Sequence, residues 1–295
     1  MKKIIQEKPI FVISILLMIS MVVLYFEGYF VHIIGHGYLG SILLRMVLGV
    51  IMLSTLHIVA GKEIFLWSKK SGRYAFLCGI VPLISNIFVL TIRVIETYQN
   101  PFRRLHDDWW CKALVFLALA LMIGLFEEGL FRGIIVNGLV KVMPKTKAGL
   151  YKAIIISSIL FGFVHIMWYL LDAEYYSLSG IVQMMMSIFK IGSIGMLLAS
   201  IYFKTKNIWA CILLHAMIDF ILFLINPLTG GVVSHSYVEK GVSESALVIS
   251  ALVTAIVSIP NAIIAIRIMR KLNPEECVMW KSNDIDKEDA LEAVS

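Results

Sequence analysis

Eight runs of mostly apolar residues divide the chain, at 10–27, 41–60, 74–95, 111–140, 149–171, 178–203, 208–228 and 246–268. A helix needs about 20 such residues to cross the hydrocarbon core of a bilayer. Inside lipid a lone segment satisfies its backbone only by coiling into a helix, so each run reads as a transmembrane helix. Composition agrees: 59% of residues are hydrophobic and 16% charged, against roughly 45–50% and about 25% in soluble domains. A soluble enzyme and a disordered chain are both excluded. The expectation is an all-α polytopic bundle of about eight transmembrane helices, one domain over 1–270, with a short polar tail over 271–295. The first run follows Met1-Lys2-Lys3 like a signal peptide, but it passes into Glu27-Gly28-Tyr29-Phe30 without a small-residue cleavage site and reads as a retained anchor. The fourth run exceeds one perpendicular crossing and should tilt or protrude.

The formal net charge of +6 would suggest nucleic acid in a soluble protein. Here the cations lie between apolar runs, where they set orientation. With the N-terminus inside, one set of segments holds Lys2, Lys3 and Lys8; Lys62, Lys69, Lys70 and Arg73; Lys141, Lys145, Lys147 and Lys152; Lys204 and Lys206; and Arg270, Lys271, Lys281 and Lys287. The opposite set holds only Arg103, Arg104, Lys112 and Lys240. The positive-inside rule then puts both termini in the cytoplasm. The partner implied is the lipid bilayer, with no nucleic acid and no soluble protein, and a short chain of this kind suits a bacterial plasma membrane. Cys78, Cys111, Cys211 and Cys277 have no metal-ligand spacing and read as packing residues.

Ionisable groups inside spans cost roughly 2.5–3.5 kcal/mol each on insertion scales and mark function by default. The fourth run carries three in Glu127-Glu128-Gly129-Leu130-Phe131-Arg132. Glu128 and Arg132 stand four apart in the favourable order for a helical ion pair. Glu127 points about 100° away, is left without that partner, and can act as a general base. The fifth run ends in Phe161-Gly162-Phe163-Val164-His165, and the seventh holds His215-Ala216-Met217-Ile218-Asp219 with its two polar groups one turn apart. At about 1.5 Å per residue, Glu127 and His165 lie roughly 21 and 22 Å from their cytoplasmic ends, so the helices can meet at one cavity. Phe161 reads as a packer shaping it. Gly129 and Gly133 are spaced for a close helix contact, and Arg45 and Arg93 read as snorkelling from span ends. His32, His36 and His57 have no acid at helical spacing.

Together, Glu127-Glu128-x-x-x-Arg132, Phe161-x-x-x-His165 and His215-x-x-x-Asp219, in order on separate spans, resemble the three motifs of the CPBP intramembrane protease family. That group includes CAAX prenyl proteases and bacteriocin-processing or immunity relatives. The resemblance covers about 111–228. It implies an intramembrane endopeptidase acting on a membrane-associated peptide or protein, in which Glu127 and His165 activate water, His215 and Asp219 meet the oxyanion, and Glu128 and Arg132 hold the site. The residues themselves agree on the base and on a donor pair opposite it.

Asp219 leaves three options open: a carboxyl that keeps its proton, a group that only orients His215, or a metal ligand. Glu127, His165, His215 and Asp219 would make an N/O set for zinc, but no HExxH is present, and the expectation is a reaction without cofactor. The other readings are a proton or cation carrier, which would usually show repeated acidic spans, and a non-catalytic immunity or scaffold protein.

Overall fold

The structure is a computed structural model and describes residues 7–27, 38–100, 104–229, 238 and 243–280. Lys2, Lys3, His32, His36, Arg103, Lys240, Lys281 and Lys287 lie outside them. The described residues form helices and no strand. In chain order these are α1 (Pro9–Tyr25), α2 (Tyr38–Ala60), α3 (Lys69–Cys78), α4 (Ile80–Gln99), α5 (Trp109–Glu128), a π-helical segment (Gly129–Val136) leading into α6 (Asn137–Val142), α7 (Lys147–Ile166), α8 (Leu178–Thr205), α9 (Ile208–Phe223), α10 (Ile225–Leu228) and α11 (Glu244–Met269).

Among the described residues six helical segments, not eight, are long and apolar enough to cross a membrane. The first and seventh runs instead form the shorter apolar helices Pro9–Tyr25 and Ile208–Phe223. The seventh is interrupted before α10, where Pro227 has no N–H to offer the carbonyl of Phe223. The third run also departs from expectation. It breaks at Gly79, and the spanning helix starts only at Ile80, with Pro82 in its first turn, where a missing N–H costs little. The fourth run is a single 34-residue path from Trp109 to Val142.

Close helix contacts depend on small residues, since lipid supplies no hydrophobic drive between helices. A Cβ on Gly129 would lie 2.9 Å from Cβ of Met52, and one on Gly133 would lie 2.9 Å from Leu56, so the expected glycine contact is made with α2. A Cβ on Gly124 would sit 2.8 Å from the carbonyl of Ile212 on α9, and one on Gly162 would sit 2.5 Å from the carbonyl of Ile188 on α8. Backbone cannot turn aside as a flexible side chain can. Gly162→Ala is therefore expected to push α7 from α8 and cost about 1–3 kcal/mol of stability, read as a lower unfolding midpoint in detergent.

The core runs along α5, the π segment, α8 and α9, with Phe126, Phe131, Ile134, Tyr202 and Phe203 buried. Of the expected polar tail, residues to Trp280 are described, and Leu272, Cys277 and Trp280 are buried. Burial pushes the Cys277 thiol up to about 11, which suits an inert packing residue. All four cysteines are free.

Candidate active site

The site starts from the change of helix type just after the two acids. A π segment widens the turn and shifts every later side chain around the axis; such segments are frequent at functional sites. Returning to α geometry leaves carbonyls short of donors. The buried Asn137 side chain answers this: its Nδ2 donates to the carbonyls of Arg132 and Gly133, both at 2.9 Å, and to Oη of Tyr202 at 2.8 Å.

Glu128 and Arg132 form the expected ion pair, Oε1 to Nη1 at 3.1 Å, with side chains 0% and 1% exposed. Arg132 also donates from Nη2 to the carbonyl of Gly195 at 3.2 Å, and its guanidinium lies 4.4 Å over the Phe161 ring. One cation thus joins the π segment to α7 and α8. The same Glu128 oxygen accepts from Nδ1 of His215 at 2.7 Å, a length typical of a charge-assisted bond. Glu128 therefore holds α9 as well as Arg132.

Glu127, one residue earlier, projects about 100° round the helix from Glu128 and meets the other edge of the His215 ring. Its Oε2 is 3.6 Å from Nε2 of His165 and 3.8 Å from Nε2 of His215, and Nε2 of His215 is 3.5 Å from Oδ2 of Asp219. The expected meeting of the fourth, fifth and seventh apolar runs, now α5, α7 and α9, is there in the geometry. Nδ1 of His165 bonds to the Phe161 carbonyl at 2.6 Å; a carbonyl only accepts, so Nδ1 is the donor there, and Nε2 faces the acid. Phe161 meets the rings of His165 and His215 edge-on, with centroids 4.8 and 5.9 Å away. Among the described residues Oε2 of Glu127 is buried and accepts no hydrogen bond. A cavity of about 380 Å³ opens beside it, lined by Glu27, Arg45, Glu127, His165 and Asp219 on its polar side and by Phe126, Phe131 and Trp168 among its apolar groups.

Two expectations are corrected. Glu127 is not left without a cation, because Nη1 of Arg45 stands 3.5 Å from its Oε1. Arg45 does not snorkel: it is inside the bundle, and its Nη2 meets Oε2 of Glu27 at 2.9 Å. Arg93 likewise donates inward, from Nη1 to the carbonyl of Leu222 at 3.1 Å. Glu27 and Arg45 were the residues missed. The signal for Arg45 was present, since an arginine five residues into an apolar run is as costly as the acids of the fourth run. Nothing in its spacing named a partner. Among the described residues no group of three or more His, Cys, Asp or Glu side chains has the geometry to hold a metal ion.

Neither a curated protein nor a solved structure matches the chain. The family model described as type II CAAX prenyl endopeptidase, Rce1-like, matches residues 109–221. That segment runs from the start of α5 into α9 and contains all three motifs. The all-helical architecture with six membrane-length segments, the convergence of the three motifs on one cavity, and this match agree: this is a multi-pass membrane protein whose residues 109–221 are similar to the Rce1-like type II CAAX prenyl endopeptidases.

Proposed function

We propose that the protein is an intramembrane endopeptidase that hydrolyses a peptide bond of a membrane-associated peptide or protein by direct attack of water. The observation that carries this reading is the placement of Oε2 of Glu127 at 3.6 and 3.8 Å from two imidazole Nε2 atoms beside a cavity. Two atoms at that separation can both reach a water lying to one side at about 2.8 Å. Glu127 takes the proton of the attacking water and returns it to the amine nitrogen as the tetrahedral intermediate collapses and the C–N bond breaks, and His165, donating from Nδ1 to the Phe161 carbonyl, presents Nε2 as a second acceptor. His215 donates through Nδ1 to Glu128, which orients its Nε2 toward the oxyanion when the ring carries a second proton. Asp219 keeps that ring in place, and Glu128 and Arg132 are the frame.

The match to an endopeptidase family favours this reading over a carrier or a scaffold. The eight apolar runs and the cations between them support eight membrane segments with both termini in the cytoplasm, and a bacterial plasma membrane is the location this reading adopts. The reaction needs no metal in this scheme, and zinc on Glu127, His165, His215 and Asp219 is the competing chemistry. The full chain in detergent, assayed on a fluorogenic peptide panel with and without EDTA, tests both points. Turnover is expected to be unchanged by the chelator. Loss that zinc restores would transfer the reaction to the metal, and no cleavage of any peptide would count against hydrolysis itself.

A further inference from the structure

Arg45 is held on one edge and directed on the other. Its Nη2 meets Oε2 of Glu27 at 2.9 Å and its Nε meets Oε1 at 3.4 Å, a two-point grip on a single carboxylate. A guanidinium is planar and its donors are rigidly disposed, so this grip fixes where the remaining donor points. That donor, Nη1, reaches Oε1 of Glu127 at 3.5 Å. The guanidinium also lies 5.7 Å over the ring of Phe126, the residue before Glu127. The side chains of Arg45, Glu27 and Glu127 are 15%, 19% and 13% exposed, so the charges interact at reduced screening.

Glu127 has rotatable bonds enough to face several ways. Engaging Oε1 from the α2 side turns Oε2 toward His165 and His215. Three acids, Glu27, Glu127 and Asp219, border the cavity with Arg45, and without the arginine their mutual repulsion would drive the Glu127 carboxylate out of register. Residues 27 and 45 lie outside the matched segment 109–221, so the helices before it complete the site.

We infer that Arg45 is a positioning residue for Glu127 and that Glu27 acts only by anchoring Arg45. The inference rests on the hydrolytic reading above. A misplacement of about 1 Å in a reacting group can cost 100-fold in rate, and the loss should fall on kcat because neither residue is assigned a contact with the departing peptide.

The test uses the full chain in detergent: kcat, KM and the unfolding midpoint for wild type, Arg45→Ala, Arg45→Lys, Glu27→Leu and the Arg45→Ala/Glu27→Leu double variant. The expected results are a fall in kcat of about 100-fold for Arg45→Ala with KM little changed, and partial recovery in Arg45→Lys. Added methylguanidinium, which fits the space vacated beside the cavity, should also restore part of the turnover of Arg45→Ala. Glu27→Leu should lower kcat alone but add nothing on top of Arg45→Ala. Wild-type kcat in Arg45→Ala overturns the inference. So does a loss that follows the unfolding midpoint and responds neither to lysine nor to methylguanidinium, which would make Arg45 a plain tie between α2 and the segment just after α1. A wild-type protein that cleaves no peptide overturns the hydrolytic reading, and the inference with it, and is told apart because every variant is then equally silent.

Discussion

Glu127→Gln is expected to lower peptide turnover by on the order of 10³–10⁴-fold while leaving the unfolding midpoint nearly unchanged. The upper range of general-base effects applies because the amide keeps the shape of the carboxylate and its acceptor toward Arg45 but cannot take a proton from water. Oε2 faces Nε2 of His165 and His215 at 3.6 and 3.8 Å, and no other acid has both imidazoles at such range among the described residues: Glu128 is turned to Nδ1 of His215 and to Arg132. Asp219 lies 3.5 Å from His215 on the same helix and is the alternative base at the cavity among the described residues. Steady-state kinetics on the best substrate of the peptide panel measures the loss. Turnover retained within tenfold would move the base away from Glu127.

The second large effect is on stability and belongs to the neighbouring acid. Arg132→Met is expected to destabilise the fold by about 3–5 kcal/mol, the usual penalty for leaving a buried charge without its partner. Glu128 is fully buried, so water cannot replace the guanidinium. The loss also removes the bond to the Gly195 carbonyl and the stacking on Phe161. Reversible unfolding in detergent gives the number. Removing both charges in Arg132→Met/Glu128→Gln should be milder than the single change, because the orphaned carboxylate is gone. A double variant weaker than the single one would mean that the pair is not what stabilises this layer. The two adjacent glutamates thus serve different ends: changing Glu127 costs rate, whereas stripping Glu128 of its cation costs the fold.

How much of this was legible before any coordinates depended on how local the cause was. Helices follow from apolar run length and the need to satisfy backbone groups in lipid, so the all-α class is a property of the chain. The pairs Glu128–Arg132 and His215–Asp219 are one turn apart, and an α-helix brings such residues together whatever packs around them. The different directions of Glu127 and Glu128 follow from about 100° per residue. The glycines at 129 and 133 announced a close neighbour without saying that it would be α2.

Run length failed where punctuation mattered. Gly79 and Pro227 interrupt two apolar runs, and a hydropathy window averages over them. The π segment was invisible as well: the side chain that meets its freed carbonyls, Asn137, is itself tied to Tyr202 far along the chain, and no pattern in 129–136 announces it.

What the sequence by itself determined is the membrane-spanning helical class, the side of each helix on which its charged groups lie, and the three motifs that the matched segment contains. Only the tertiary structure decided that Arg45, apparently a span-end cation, grips Glu27 and reaches Glu127, residues 18 and 82 positions away. The reason is physical. Periodicity constrains the angle of a side chain about its own axis, whereas the choice of neighbour depends on how glycine-lined surfaces and buried charges let whole helices approach, and that is a property of the assembled bundle.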